Sequence, residues 1–253
     1  MTTAAQVNRW LRPVLQQRSD LILRKRMLVV RPVRHVLRWI YFNGASWDKN
    51  HPKPYWYIDF LPSPPFWRGR PWFDEIWVGY TSDINFETSL NASVSQTITR
   101  RLDQVPSIEA LLDKTQGSTG FGDVAGLTRL DGLVAYHGPV LAAAGRMAEA
   151  AKVIDDWVGR TEAGYLNELA EGRRLLAKRP NSRLGQVTLR LATEYLDLLG
   201  ALKALAALCK SGDRAEIGAQ LRQWEAHNIT RLGLLDLWEP SPYPVELGCG
   251  DQA

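Results

Sequence analysis

The sequence predicts an α+β protein, in which a small antiparallel sheet with a leading helix is followed by an α-helical hairpin domain. Three observations predict this class: an apolar stripe at helical spacing opens the chain, β-branched and aromatic runs follow between residues 21 and 80, and helical patterns fill the chain after Gly126. The predicted domains are an α+β domain with a basic N-terminal segment at 1–115 and an α-helical hairpin domain at 126–253.

Residues 3–18 form the leading helix of this prediction. Five apolar residues from Val7 to Leu15 recur at i, i+3, i+4, i+7 and i+8, which places them on one helix face. Pro13 lies inside this pattern, and it predicts a kink or a break near Arg12 because proline lacks the backbone N–H.

Two strands follow, near residues 26–31 and 34–43, where β-branched and aromatic residues are frequent. Helical spacing also fits part of the second run, so a helix stays open as an alternative there. In a strand, side chains alternate between the two faces of the sheet. One face would carry Arg34, Val36, Arg38, Ile40 and Phe42, and the other Val33, His35, Leu37, Trp39 and Tyr41.

The rest of the first half contains two more strand patterns, at 55–61 and 75–80. Four prolines within 62–71 predict an irregular surface segment between these strands. Helical patterns cover 89–102 and 107–112, so the predicted first domain ends in helices.

A glycine-rich stretch at 115–126 is the predicted linker between the two domains. It does not fit a phosphate-binding loop, because no apolar strand precedes it and no Gly-Lys-Ser/Thr follows it. Five helices are predicted after it, with a final helical turn at 232–238 and an extended or frayed tail. The five helices cover 127–144, 147–158, 162–178, 187–209 and 215–227.

The helical half contains a short repeated pattern at an offset of 67 residues, here called the internal echo. Segments 141–149 and 208–216 share the pattern Leu-x₃-Gly-x₂-Ala-Glu, and a tryptophan stands twelve residues after Gly145 and after Gly212. The pattern resembles the helical hairpins of tetratricopeptide-type repeats, which implies recognition of proteins or peptides. Independent helical hairpins remain an equally good interpretation.

Charge is distributed unevenly along the chain. The first 41 residues hold nine basic residues and one acid, a charge of +8, while the remaining 212 residues hold 22 basic and 26 acidic residues, a charge of −4. A basic end of this kind binds nucleic acid or another anionic surface, or it docks on acidic groups of the same chain.

The segment 24–46 contains a sequence pattern that resembles one found in other proteins. Residues 32–38 read Pro-Val-Arg-His-Val-Leu-Arg, and aromatic residues follow them. This is similar to the opening of a group of uncharacterised bacterial proteins, which implies a bacterial origin. If those proteins share a site, Arg34, His35 and Arg38 are the matching positions.

The sequence favours a protein without a catalytic, metal or cofactor site. No histidine lies three or four residues from another histidine or from a cysteine, and no Cys-x-x-Cys, nucleophile-elbow or His-Glu-x-x-His motif occurs. Cys209 lies in an apolar helical run and is expected to be buried, whereas Cys249 lies in the tail and is expected to be exposed. An enzyme with an unrecognised site near His35 remains an alternative.

Ten tryptophans are present, and seven of them lie between residues 10 and 77. Beside arginines they are able to stack single-stranded bases, to fill the core, or to contact a protein partner. The candidate binding residues are Arg34, His35, Arg38, Trp39, Tyr41 and Trp56.

These observations favour a non-catalytic bacterial protein that binds another protein. Nucleic-acid binding through the basic, tryptophan-rich N-terminal half is the alternative. A cytoplasmic location is expected, because the sequence shows no signal peptide and no apolar run of the roughly 20 residues that span a bilayer. Neither the partner's identity nor the oligomeric state follows from the sequence.

Overall fold

A computed structural model describes residues 2–43, 50–65, 72–115 and 134–248 and confirms the α+β class. The chain divides into two compact units, each made of three stretches. The sheet unit comprises the described residues within Met1–Leu61, Arg70–Arg129 and Leu234–Ser241. The helical unit comprises those within Pro62–Gly69, Leu130–Gly233 and Pro242–Ala253.

The described residues of the sheet unit form five strands, three helices and two short 3₁₀ helices. The strands pair antiparallel in chain order, so the predicted antiparallel sheet is a meander. The elements are α1 (Ala4–Gln17), β1 (Leu21–Arg24), β2 (Met27–Val30), β3 (Val36–Asn43), β4 (Lys53–Phe60), β5 (Trp72–Glu75), α2 (Phe86–Arg100), a 3₁₀ helix (Leu102–Gln104), α3 (Ile108–Thr115) and a 3₁₀ helix (Leu235–Leu237).

The leading helix α1 is present, and it runs through Pro13 without the predicted break. A capping box opens it: the Thr3 hydroxyl accepts the Gln6 N–H, and the Gln6 amide oxygen accepts the Thr3 N–H at 2.8 Å. Its apolar face, which includes Trp10 and Val14, is buried. This burial outweighs the cost of one missing hydrogen bond at Pro13.

Strand register fixes which side chains share a face of the sheet. Arg38 lies opposite Ile58, and Ile40 lies opposite Trp56. Every second residue of β4 from Pro54 to Phe60 is buried on that face. The odd-numbered residues of β3 and β4 therefore lie on the other face.

The last strand begins three residues earlier than predicted. β5 covers Trp72–Glu75, whereas the sequence predicted a strand at 75–80. Beyond β5 the chain makes two backbone contacts, one to the start of β4 and one to the segment before it: the Ile76 N–H donates to the Pro54 carbonyl at 2.8 Å, and the Thr81 N–H donates to the Asn50 carbonyl. Proline at position 54 has no N–H, so the reciprocal ladder bond cannot form and the strand ends.

The described residues of the helical unit form four helices, which confirm the predicted hairpin architecture. They are α4 (Val134–Ala143), α5 (Met147–Lys178), α6 (Arg183–Ser211) and α7 (Arg214–Leu232). Gly145 and Gly212 have φ of 84° and 74° and join consecutive helices, as the internal echo predicts. The predicted linker at 115–126 lies almost wholly outside the described residues.

Helix α5 is continuous where the sequence predicted two helices, at 147–158 and 162–178. Gly159 and Gly164 both lie inside the continuous helix. A glycine costs a helix only about 1 kcal/mol. Packing along α6 offsets that cost.

The predicted extended or frayed tail is wrong for residues up to 248, because Tyr243 and Val245 are fully buried in the helical unit. The Val245 N–H donates to the Ala143 carbonyl at 3.1 Å. Arg222 donates two hydrogen bonds of 2.6 Å to Glu246. Apolar burial and a forked ion pair thus fix the segment; Cys249 lies outside the described residues.

Within the described ranges, no helix has the length and the apolar character needed to cross a membrane.

Candidate binding face of the sheet

One face of the sheet carries an aromatic cluster built by strand register. Trp39 on β3 lies opposite Tyr57 on β4, and Tyr57 lies opposite Phe73 on β5. Tyr41 lies opposite Tyr55 in the same way. These five residues, Trp39, Tyr41, Tyr55, Tyr57 and Phe73, are here called the aromatic face.

The central rings of the aromatic face stack on each other. The ring centroids of Trp39 and Tyr57 are 4.6 Å apart at 25°, and those of Tyr57 and Phe73 are 5.8 Å apart at 18°. Tyr57 therefore has both of its ring faces against neighbouring rings. A row of this kind stabilises the sheet across three strands, and it offers few free ring faces on which bases would stack.

Polar groups fix the orientation of the other rings. The Trp39 indole N–H donates to Asp59 at 2.7 Å, and the Tyr55 hydroxyl donates to Glu75 at 3.1 Å. Burial and the Glu75 carboxylate raise the pKa of Tyr55. The Arg26 guanidinium donates to the Tyr41 hydroxyl at 3.0 Å and lies 5.3 Å from its ring centroid.

Exposed aromatic rings continue beyond the edge strand. Ile76 and Val78 are buried whereas Trp77 between them is 78% exposed, so Trp77 points to the side of the chain opposite its neighbours. Phe73 is 51% exposed and Tyr80 is 50% exposed, and the Tyr80 ring lies 5.0 Å from the His51 ring. Phe73, Trp77 and Tyr80 are here called the exposed rim.

The six predicted binding residues do not form one site. Trp39 and Tyr41 belong to the aromatic face, where Trp39 is buried, with 3% exposure, and Tyr41 is half-buried. Trp56 and Arg38 lie on the opposite, buried face of the sheet. Arg34 and His35 precede β3, which begins at Val36.

Arg34 and His35 have partners in the segment after the last helix. The Arg34 guanidinium lies 3.5 Å from the Glu239 carboxylate, and both side chains are exposed. His35 is buried, and its Nε2 lies 3.0 Å from the Ser241 hydroxyl. A serine beside a histidine is one requirement of a hydrolase, which needs a substrate cavity next to the serine as well. One cavity of the helical unit is lined by other residues, which include Gly145, Arg146 and Cys209.

That cavity has a volume of about 730 Å³ and lies at the start of α5. Its charges compensate one another, because Arg146 pairs with Glu149 at 2.5 Å and Lys210 pairs with Asp155 at 2.7 Å. Burial raises the pKa of the Cys209 thiol to about 11, so the thiol is protonated at neutral pH and is a poor nucleophile. Among the described residues, no group of three or more potential metal ligands comes together.

Among the described residues, four of the nine basic residues of the N-terminal segment form ion pairs inside the sheet unit. Arg18 contacts both Asp20 and Asp103, the latter at 2.7 Å. The Arg18 guanidinium lowers the pKa of Asp20. Three further ion pairs join the segment to acids of the unit: Arg9 with Glu87, Arg24 with Asp236 and Arg34 with Glu239. Docking on acids of the same chain is therefore the better supported of the two predicted roles.

Arg38, in contrast, forms no ion pair among the described residues. Its side chain is 5% exposed, its Nη2 donates to the Arg31 carbonyl at 3.3 Å, and its Nε has no hydrogen-bond partner among the described residues. Burial lowers the pKa of Arg38, while the nearby charges of Asp103 and Asp20 raise it. A buried guanidinium with an unsatisfied N–H destabilises the fold.

We therefore expect Arg38→Met to raise the free energy of unfolding by about 1–2 kcal/mol, because it removes an unsatisfied donor while keeping the apolar stem. Thermal unfolding followed by circular dichroism measures the effect. Arg34→Met, at an exposed position, is the control and should change stability by less than about 0.5 kcal/mol. A loss of stability in Arg38→Met would mean that the guanidinium has a stabilising partner.

The exposed rim was not predicted from the sequence. Trp77 fell within a predicted strand, but nothing in its local pattern distinguished an exposed indole from a buried one. The register of β5, which sets the side of Phe73, depends on pairing with β4.

Comparisons of this chain with protein-family models, with curated proteins and with solved structures found no significant match.

Proposed function

We propose that this chain is a non-catalytic binding protein that recognises another protein through the aromatic face and its exposed rim. The observation that carries the proposal is the 78% exposure of Trp77, together with the half-exposed rings of Phe73 and Tyr80, which lie within four residues of it in the chain. Tryptophan and tyrosine contribute a large share of the binding energy at protein interfaces, and contiguous exposed apolar surface marks such interfaces.

The arrangement of the aromatic rings favours protein over nucleic acid as the partner. The stacked row leaves few free ring faces for bases, and the carboxylates of Asp59 and Glu75 lie on the same side of the sheet. Their charge is balanced by Arg26 and Lys53 on the same face, so the aromatic face has no excess of positive charge to attract a phosphate backbone, and carboxylates accept hydrogen bonds from protein donors. The proposed partner surface presents apolar side chains with hydrogen-bond donors around them.

The partner is expected to contact side chains and not to extend the sheet. β5 is an edge strand of only four residues. The backbone N–H of Glu75 already donates to the Asp74 carboxylate at 2.7 Å. An added strand would need free backbone donors along the edge, so strand addition is disfavoured here.

The proposal includes a cytoplasmic setting in a bacterium. The resemblance of residues 32–38 supports the bacterial origin, and the small number of cysteines is typical of proteins in a reducing compartment. The helical hairpins, which resemble those of tetratricopeptide-type repeats, are also common in interaction proteins.

The test compares Trp77→Ser with a matched control, Ile84→Ser. Ile84 is 98% exposed in the same unit, so both substitutions remove an exposed apolar side chain at little cost to stability. Wild-type and variant proteins are immobilised at equal density and exposed to nuclease-treated bacterial lysate, and retained proteins are quantified by mass spectrometry.

We expect at least one protein to be retained equally by the wild type and Ile84→Ser and to be reduced more than tenfold by Trp77→Ser. A tenfold loss corresponds to about 1.4 kcal/mol, which is modest for a tryptophan hot spot. The purified partner should then show the same ranking in a direct titration. If no protein distinguishes Trp77→Ser from Ile84→Ser, the exposed rim is not the binding surface.

A further inference from the structure

We infer that the tip of the α5–α6 hairpin binds the phosphate backbone of a nucleic-acid duplex. This surface belongs to the helical unit and shares no residue with the aromatic face, so it goes beyond the proposed function. Its members are Arg173, Arg174, Lys178, Arg179, Arg183 and Arg190, here called the basic tip.

The basic tip is a block of uncompensated charge. From Gly172 to Thr193 the chain holds these six basic residues and no acidic residue. All six are exposed. Arg174 pairs with Glu171 at 2.6 Å, whereas no ion pair is found for the other five among the described residues.

Basic residues elsewhere in the same hairpin behave differently. Lys203 on α6 pairs with Glu162 on α5, and Lys210 pairs with Asp155 at 2.7 Å. The charge of α6 is therefore neutralised towards its C-terminal end and remains free near the turn. A field of one sign at the end of a helical arm attracts polyanions.

Close helix packing holds the basic tip in place. A Cβ built on Gly172 would lie 2.8 Å from the Leu189 nitrogen, and one built on Gly185 would lie 3.1 Å from the Leu175 and Leu176 side chains. The two helices therefore approach closely on both sides of the turn. Packed helix axes are typically about 8–10 Å apart, so the charges of both helices lie close together at this end of the hairpin.

The dimensions of the basic tip fit a duplex. At a rise of about 1.5 Å per residue, Arg173 and Lys178 are about 7.5 Å apart along α5, and Arg183 and Arg190 are about 10 Å apart along α6. A duplex carries about one negative charge per 1.7 Å of its axis, both strands counted, so a stretch about 10 Å long carries roughly six phosphate charges, of which the basic tip faces a part.

The residue types favour phosphate contacts that do not depend on sequence. Five of the six residues are arginine, whose planar fork pairs with two phosphate oxygens at once. The nearest aromatic residues, Tyr165 and Tyr195, stack on each other with centroids 4.5 Å apart. Since the basic tip itself has no aromatic residue, base stacking on single strands is disfavoured and the backbone of a duplex is the expected ligand.

The experiment uses the full chain and a fluorescein-labelled 20-base-pair duplex of mixed sequence, in DNA and RNA forms. Fluorescence anisotropy at 50–300 mM salt gives the dissociation constant and its salt dependence. Each contacted phosphate contributes about −0.9 to the slope of log K against log salt, so five free cations predict a slope of about −4.5 with at least one of the duplexes.

The test variant is Arg173→Gln/Arg179→Gln/Arg183→Gln. All three positions are exposed and form no ion pair with any described residue. The matched control, Arg9→Gln/Arg12→Gln/Arg34→Gln, removes the same charge from exposed positions of the N-terminal segment. We expect the test variant to weaken binding at least tenfold and to reduce the slope to about −2, and the control to stay within threefold of the wild type. Circular dichroism confirms that both variants are folded.

Three outcomes would overturn the inference. They are no binding of either duplex at 50 mM salt, an equal loss in the two triple variants, and tighter binding to anionic lipid vesicles or to polyglutamate than to either duplex. The second outcome would favour the basic N-terminal segment as the site. None of them bears on Trp77→Ser, which is measured in lysate freed of nucleic acid.

Discussion

Replacing Tyr243 by Ala is expected to lower the free energy of unfolding of the helical unit by about 4–6 kcal/mol. The Tyr243 side chain is fully buried, and removing a buried aromatic ring costs about 3–5 kcal/mol. The Tyr243 hydroxyl also donates to the buried carboxylate of Glu225, which would lose that donor. Since domains are stable by about 5–15 kcal/mol, this single change would remove a large part of the total.

Urea denaturation followed by circular dichroism measures the effect of Tyr243→Ala. Tyr243→Phe separates the two contributions, because it keeps the ring and removes only the hydroxyl; it should cost about 1–3 kcal/mol. Tyr80→Ala, at a half-exposed position, is the control for losing a tyrosine and should cost under about 1 kcal/mol. Similar stabilities for Tyr243→Ala and Tyr80→Ala would show that the segment after Pro242 is not anchored.

The second large effect is expected at Gly172, where Gly172→Val should cost about 2–3 kcal/mol. A Cβ at this position would lie 2.8 Å from the Leu189 nitrogen and 2.9 Å from its Cα. These are backbone atoms of the facing helix, so the clash is relieved only by separating α5 from α6. Inserting atoms into a packed contact of this kind typically costs 1–3 kcal/mol.

Gly164→Val in the same helix is the matched control, because nothing lies within 4 Å of a Cβ built there. Valine is a better helix former than glycine, so this control should leave stability unchanged or raise it by a few tenths of a kcal/mol. Thermal melts of both variants give the comparison. Equal melting temperatures would mean that the two helices have room to separate without cost.

Periodicity alone predicted the parts of the fold that depend on local pattern. The stripe from Val7 to Leu15 specified α1 and its buried face, and the aromatic-rich run at 55–61 specified a strand, which is β4 in the structure. The glycines at 145 and 212 marked helix ends, because both adopt positive φ. Each of these features is set by residues within one or two turns of chain.

Features that depend on distant contacts were not predictable in the same way. The position of β5 depends on the missing N–H of Pro54 in the neighbouring strand. The continuity of α5 depends on its packing along α6. The order of the segment around Tyr243 depends on a buried carboxylate 18 residues earlier in the chain.

The candidate site was predicted in part. Trp39 and Tyr41 belong to the aromatic face, because alternation along β3 placed both on one side of the sheet. The same alternation put Arg38 on the other side, but it did not show that this side is buried. The exposed rim depends on how the chain leaves the edge strand, and no short-range pattern encodes that path.

The route of the chain after α7 has a consequence for synthesis on the ribosome. Residues 234–241 complete the sheet unit, and Tyr243 and Val245 then complete the helical unit. A nascent chain emerges from its N-terminus, so neither unit has all of its parts until the stretch after residue 233 has left the exit tunnel. Maturation of both units is therefore expected to occur late and nearly together, whereas simple tandem domains mature one after the other.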